Sequence, residues 1–304
     1  MQPEGFDLDA AVCEGVSECG AEQFAALTLT RKKHAAHHTA VRARGVEIGG
    51  SEFVVMAGPC AVESEAQVMR TADAVARAGA KVLRGGAFKP RTSPYAFQGL
   101  GVPGLKMLRK AADAAGLAVV TEAMSGEQAR HAVEYADIIQ IGTRNMENYE
   151  LLDTVARSAK PVLLKRGMGC RIAEMLTVAE FLMQKGNPNV ILCERGIRTF
   201  ETAMRNTLDI GAVVVLNQVT HLPVIVDPSH AAGERALVPP LCRIAVAAGA
   251  DGLLVEVHIA PEKALSDGAQ SLNVAEFRGM MDEIEPYLEL WSRCRRDDLV
   301  ACRR

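Results

Sequence analysis

From Glu52 onward, short β-branched or apolar runs alternate with amphipathic stretches, the pattern of repeated β-α units around a parallel sheet. Eight runs read as strands: Phe53–Ala57, Lys81–Leu83, Ala118–Thr121, Asp137–Ile141, Pro161–Leu164, Val190–Cys193, Pro223–Val226 and Gly252–Val255. Each is almost continuously apolar, as a strand covered on both faces must be. The segments between them carry helix signals. Ser64 and Gln67 have capping-box spacing ahead of Val68, Ala72 and Val75, and Asn273 and Glu276 repeat that signal ahead of Phe277, Met280, Met281, Ile284 and Leu288. Such strands fit a closed barrel or a doubly wound open sheet. The polar residues choose between them: they cluster at the C-terminal ends of the runs, which a closed parallel barrel gathers at one mouth and an open sheet disperses. The reading is a single (β/α)8 TIM barrel over residues 46–290.

The flanks break the rhythm. Residues 1–45 are Ala- and Glu-rich, then basic through Arg31-Lys32-Lys33-His34 and His37-His38, and are assigned no independent domain. Val46–Phe53, with Gly49-Gly50 between apolar runs, predicts a hairpin plugging the lower end of the barrel. Residues 291–304 read as a polar, solvated tail. At 304 residues and 49% hydrophobic content the chain can bury one large core. A net charge of −3 with 4% aromatics gives no reason to expect nucleic acid or an anionic membrane as partner. There is no P-loop and no Gly-x-Gly-x-x-Gly after a strand. The eight cysteines lack the spacing of a secreted scaffold or a zinc ribbon, and neither a leader nor a membrane-length apolar run is visible, so a cytoplasmic location is expected.

Two sets of residues carry chemistry. The first strand runs into Gly58-Pro59-Cys60, the seventh into Asp227-Pro228-Ser229-His230 and the eighth into Glu256-Val257-His258, with Asp267 in the next loop. Singly, Cys60 reads as a small buried hydrophobe, His230 as a turn residue, Glu256 as an ion-pair partner and Asp267 as a cap. Together, a thiolate, an imidazole and two carboxylates at one mouth suit a divalent metal, with Mn2+, Fe2+, Co2+ and Zn2+ all in contention. His258 is either an outer partner of that site or structural. The second set is basic: Arg84, the run Lys89-Pro90-Arg91-Thr92, Arg144, Lys165-Arg166, Arg195 and Arg198. Lys165 and Arg195 directly follow apolar strand cores with no neutraliser in view, where an unpaired cation is costly. A phosphorylated ligand removes that cost, since Arg offers planar paired donors and Lys a compact charge. Gly85-Gly86 and Gly142 would let backbone approach such a ligand.

Gly58-Pro59-Cys60, the run from Leu83-Arg84-Gly85-Gly86 through Lys89-Pro90-Arg91-Thr92-Ser93-Pro94, Cys193-Glu194-Arg195-Gly196 and Asp227-Pro228-Ser229-His230 resemble the DAHP synthases of the type Iβ group, over roughly Val46 to Leu290. The resemblance implies condensation of phosphoenolpyruvate with erythrose 4-phosphate and water to DAHP and phosphate, at the entry to aromatic biosynthesis. It makes Cys60, His230, Glu256 and Asp267 the metal ligands and Arg84, Lys89, Arg144, Lys165 and Arg195 the phosphoenolpyruvate contacts, beside Gly142 and Thr143. Arg91 and Thr92 become erythrose phosphate contacts, Glu122 positions water or a cation, and Lys89 serves as proton donor or anchor. It also implies a homo-oligomer, dimer or tetramer. The chain departs from the family pattern at Thr143, where a small Ala is usual, and at Gly169-Cys170, where Ser-Ala is common. Two other readings compete: a 3-deoxy-D-manno-octulosonate 8-phosphate synthase using a five-carbon aldose phosphate, whose acceptor loop usually has Asn where this chain has Pro90, and a non-catalytic metal-binding partner subunit. Residues 1–45 are too short for the regulatory domains some type Iβ relatives carry, so a separate chorismate mutase is the candidate regulator in trans.

Overall fold

The structure, a computed structural model, describes residues 22–34, 36–89 and 95–301. Its first two strands, β1 (Val41–Ala43) and β2 (Val46–Ile48), form an antiparallel hairpin. Eight further strands follow: β3 (Val54–Gly58), β4 (Val82–Arg84), β5 (Ala118–Ala123), β6 (Ile138–Ile141), β7 (Val162–Lys165), β8 (Val190–Glu194), β9 (Val224–Val226) and β10 (Gly252–Glu256). They are parallel, lie in chain order and close on themselves, because β10 pairs with both β9 and β3. The expected runs match these strands to within two residues. Six strands run one or two residues further toward the mouth than the expected runs, and in four of them Arg84, Lys165, Glu194 and Glu256 are the last strand residues.

The helices are α1 (Glu65–Arg77), α2 (Val102–Ala115), α3 (Gly126–Tyr135), α4 (Tyr149–Arg157), α5 (Ile172–Gln184), α6 (Ile210–Val219), α7 (Pro228–Ala232), α8 (Val238–Ala247) and α9 (Val274–Ala301). Ser64 caps α1 by accepting from the Gln67 amide at 3.2 Å, and Asn273 accepts from the Glu276 amide at 2.9 Å. Strand residues alternate between two cores, as a period of two requires. Val55, Leu83, Val119, Ile139, Leu164, Leu192 and Val255 face outward and join the helices. Met56, Val82, Val120, Ile138, Leu163, Ile191 and Leu254 face inward, and Val41, Ala43 and Ile48 of the hairpin join that inner set.

The hairpin thus plugs the barrel interior, but not where the sequence reading put it. It turns on Arg44-Gly45, both in the left-handed region at φ 46° and 80°, which gives the two-residue turn whose twist suits a hairpin. Gly49-Gly50 follow β2 instead, and Gly49 is small because a Cβ there would lie 2.7 Å from the Thr39 carbonyl oxygen. Upstream, residues 28–30 dock on α5: both Glu180 oxygens accept from the backbone and hydroxyls of Thr28 and Thr30 and from the Leu29 amide, at 2.7–2.9 Å. His221 Nε2 donates to the Leu29 carbonyl at 2.6 Å.

The expected solvated tail is corrected as well. Helix α9 continues to Ala301; Trp291 is buried and meets Phe53 edge-on at 5.5 Å, while Arg295 donates to the Gly49 carbonyl at 2.6 Å and pairs with Asp251 at 2.8 Å. Trp291 lies three residues past Leu288 and extends the apolar stripe by one more step.

Candidate active site

Strand β3 ends at Gly58, where a Cβ would lie 2.1 Å from the Arg84 carbonyl oxygen of the neighbouring strand. Only glycine lets the chain pass there and lay Cys60 across the mouth. The Cys60 thiol is buried, 2.9 Å from Ser266 Oγ and 3.3 Å from Asp267 Oδ2. Glu256, ending the adjacent β10, accepts from Arg84 Nη1 at 2.7 Å and from Gln270 Nε2 at 2.6 Å. Asp267 reaches the same point from a left-handed backbone, φ 50°. The donor atoms of Cys60, Glu256 and Asp267 all lie within 4.8 Å of one another.

His230 borders this group from α7. The helix is capped by Asp227, whose Oδ1 accepts from the His230 amide at 2.9 Å and whose Oδ2 lies 2.7 Å from His230 Nδ1. A carboxylate can only accept, so Nδ1 carries the proton and the Nε2 lone pair faces Glu256 Oε1 at 3.5 Å and Asp267 Oδ2 at 3.9 Å. A carboxylate behind an imidazole is the usual second support of a metal-binding His. Burial opposes ionisation of Glu256, but His230, Arg84 and Lys89 outweigh it and hold its carboxyl at about 2. Burial, reinforced by Glu256, pushes the Cys60 thiol up to about 12. Two carboxylates pressed against a thiol is an arrangement that a cation relieves, and the donor set fits a divalent transition metal.

Beside this group opens a cleft of about 640 Å³. The expected Arg84, Lys89, Arg144, Lys165 and Arg195 all line it, with Gly142, Thr143 and His230. Arg91 and Thr92 lie outside the described residues. The neutralisers that sequence did not reveal are here. Lys165 pairs with Asp227, and Arg166 turns away from the cleft to pair with Glu194 at 2.9 Å and Asp209 at 2.8 Å. Lys89 donates to the Cys60 carbonyl at 2.9 Å and to its Sγ at 3.1 Å. Arg195 is buried, its acceptors among the described residues are the Gly196 and His230 carbonyls, both at 3.3 Å, and burial lowers its pKa. Of the expected cations, it is the one for which the demand for an anionic ligand holds most directly.

The structure adds detail to three more of the expected residues. Arg198 is exposed. His258 pairs with Glu63 at 3.3 Å, and Glu63 also accepts from the Leu265 amide at 2.8 Å, so the pair anchors the loop that carries Ser266 and Asp267. Gly142 is small for a reason the sequence did not display: a Cβ would fall 1.9 Å from Glu122 Oε1, which shares the cleft wall with Gln140 and Met168. Sequence reasoning missed Ser266, Gln270 and Arg205. Arg205 lines the cleft and reaches Gln270 Oε1 at 2.7 Å. No spacing signal marks any of the three, because each acts through a residue from another loop.

Comparison with known proteins shows the family and agrees with the fold. The family model described as the DAHP synthetase I family matches residues 30–289. The chain is 55% identical over 240 residues to a phospho-2-dehydro-3-deoxyheptonate aldolase of Thermotoga maritima, a match covering 79% of this chain and 71% of that one. It is 32% identical over 264 residues to a 2-dehydro-3-deoxyphosphooctonate aldolase of Koribacter versatilis, covering 80% and 94%. The crystal structure of the Thermotoga maritima phospho-2-dehydro-3-deoxyheptonate aldolase superposes with a TM-score of 0.85 at 50% identity, covering 88% of this chain and 78% of that one.

Proposed function

The chain belongs to the DAHP synthetase I family, and from that premise we propose that its cleft condenses phosphoenolpyruvate with erythrose 4-phosphate and water to give DAHP and phosphate, the first step of the shikimate pathway. The observation that carries this reading is the meeting of five cations with the Cys60, His230, Glu256 and Asp267 group around one cleft. The heptonate relative at 55% identity stands well above the octonate relatives, which reach 34%, and this favours the four-carbon acceptor over the five-carbon one. An intact donor set with an intact cation set speaks against a non-catalytic subunit.

Phosphoenolpyruvate brings a carboxylate and a phosphate, and Arg144, Lys165 and Arg195 supply the charge that holds them. Carbon 3 of the enol forms the new bond to the aldehyde carbon, water adds at carbon 2, and cleavage of the carbon–oxygen bond releases phosphate. Cys60, His230, Glu256 and Asp267 would hold a divalent metal, Mn2+, Fe2+, Co2+ or Zn2+, which when bound supplies Lewis-acid polarisation of the aldehyde. Burial opposes the charge on Lys89, but Cys60, Glu122 and Glu256 outweigh it and raise its pKa. Lys89 therefore stays an ammonium at neutral pH, at the junction of cleft and metal group, and donates a proton to the oxygen that was the aldehyde. Glu122, the carboxylate facing these cations, orients the attacking water. Arg91 and Thr92 are assigned to the erythrose phosphate on the family resemblance.

The test is to incubate the purified chain with phosphoenolpyruvate and, separately, erythrose 4-phosphate, arabinose 5-phosphate and ribose 5-phosphate, measuring phosphate release and product mass. Turnover with the four-carbon sugar far above the others is expected; preference for arabinose 5-phosphate overturns the acceptor assignment, and no release with any of them overturns the enzyme reading. We also propose a cytoplasmic homo-oligomer, dimer or tetramer, which light scattering tests. No helix among the described residues is long and apolar enough to cross a membrane.

A further inference from the structure

Asp227 stands between the two halves of the site. Its side chain is 1% exposed, and a single oxygen, Oδ2, is bonded both to the Lys165 ammonium and to His230 Nδ1. Lys165 lines the anion cleft. The other nitrogen of the same His230 ring faces Glu256 and Asp267 of the metal group. One carboxylate oxygen is therefore shared between a cation of one subsite and a donor of the other, and whatever draws Lys165 away changes what Asp227 offers His230.

We infer that Asp227 is a positioning residue that couples the two subsites, so that phosphoenolpyruvate bound at Lys165 tightens metal binding at His230 and metal tightens phosphoenolpyruvate binding in return. The inference rests on the metal and phosphoenolpyruvate reading above. The physical route is short. An anion that takes up the Lys165 ammonium leaves more of the Asp227 charge on the Nδ1–H of His230, and a more strongly held Nδ1–H makes Nε2 the better donor. Reciprocity follows from linkage, since a coupling free energy belongs to both ligands equally. The role differs from that of a helix cap. Oδ1 alone caps α7, and an Asn at this position keeps that oxygen while losing the charge. Arg195 supplies the control: it is a cation of the same cleft that feels Asp227 only at longer range, donates to the carbonyls of Gly196 and His230 and, among the described residues, shares no oxygen with the imidazole.

The experiment measures Mn2+ affinity of the metal-stripped full chain by electron paramagnetic resonance, with and without saturating phosphoenolpyruvate, in wild type, Asp227→Asn, Lys165→Met and Arg195→Met, each checked for folding by circular dichroism. Direct attraction between the metal and the anion persists in all four and sets a floor. Asp227→Asn should weaken Mn2+ roughly 10–100-fold, the range for loss of a partner behind a metal-binding His. Enhancement by phosphoenolpyruvate should fall to the floor in Asp227→Asn and Lys165→Met and stay at the wild-type factor in Arg195→Met. Full enhancement in either of the first two, or none in wild type that binds both ligands, overturns the coupling and leaves the function standing. Wild type that binds neither Mn2+ nor phosphoenolpyruvate overturns the function, and the coupling with it. If Asp227→Asn does not fold, Lys165→Met against Arg195→Met decides.

Discussion

The Lys89 ammonium lies 3.1 Å from Cys60 Sγ and 2.9 Å from the Cys60 carbonyl oxygen, so one side chain that lines the cleft also touches the Cys60, Glu256 and Asp267 group. In the metal-free protein the ammonium donates to the sulfur of an uncharged thiol, and it would stabilise the thiolate that metal uptake creates, against the cost that burial imposes on it.

That thiol makes metal binding depend on pH. With the Cys60 thiol near 12 and the Glu256 carboxyl near 2 in the metal-free protein, uptake of a metal by these donors expels the thiol proton. His230, lowered from its usual value chiefly by burial, is already neutral above about pH 7 and contributes no slope there. Apparent metal affinity should rise about tenfold per pH unit between about pH 7 and 9, and Cys60→Ala should lose both the slope and most of the affinity. Calorimetric titrations at three pH values check this; a flat wild-type profile removes Cys60 from the ligand set.

Lys165→Ala and Arg195→Ala should part company on stability. On the proposed function each should lose a charge-assisted contact to phosphoenolpyruvate worth roughly 1.5–3 kcal/mol, about 10–150-fold in KM. Lys165→Ala also strips the buried Asp227 of its ammonium, at about 3 kcal/mol. Arg195 has no hydrogen bond or ion pair to a carboxylate among the described residues, and feels Asp227 and Glu194 only at longer range, so its removal should cost the unliganded protein less than the removal of Lys165. Denaturant unfolding beside steady-state kinetics separates the two; equal stability losses would show that Arg195 has a structural partner.

Glu180→Gln should loosen the N-terminal segment. Burial opposes ionisation of Glu180, but the amides of Leu29, Thr30 and Thr28 and the Thr28 hydroxyl outweigh it and hold the carboxyl at about 2. Because the folded value lies below the unfolded one, near 4.3 for a free Glu, the stabilisation is complete above about pH 5 and fades as pH falls toward 2. At pH 7 the variant should melt roughly 2–4 °C lower, as for a loss of about 1 kcal/mol, with faster hydrogen exchange at Leu29 and Thr30. The difference between variant and wild type should shrink steadily below pH 5. A difference independent of pH would mean that the carboxylate charge does not hold the segment.

Gly142→Ala should impair catalysis more than folding. The new Cβ meets the end of the Glu122 side chain at 1.9 Å, a flexible group that can swing aside, so the barrel tolerates the change while the carboxylate leaves its place in the cleft. A fall in kcat of at least tenfold, with melting shifted by no more than about 2–4 °C, is expected; on the general scale that shift corresponds to about 1 kcal/mol. Glu122→Ala in the same background should cause little additional loss, since both changes act on one group. Additive losses would sink the link between the two positions.

The alternation of apolar runs with amphipathic stretches, the helix starts at Ser64 and Asn273, and the placement of Cys60, His230 and Glu256 at strand ends were legible because each is a local property: period, cap and strand terminus are written within a few consecutive residues. Lys165 and Arg195 showed themselves as cations just beyond apolar strands for the same reason. Which charge answers which was not legible. Arg84 meets Glu256 across 172 residues of chain, and Lys165 meets Asp227 across 62, and no local pattern carries such separations. The hairpin turn fell on Arg44-Gly45 rather than Gly49-Gly50 because the backbone contact at Thr39 and packing into the barrel interior override what two adjacent glycines suggest. Helix α9 outran its predicted end because Phe53 and Asp251, far upstream, provide surfaces for Trp291 and Arg295. Sequence determined the repeating unit and the chemistry at its ends. Only closure of the barrel, through the pairing of β10 with β3, decided that Cys60 and Glu256 would face one another.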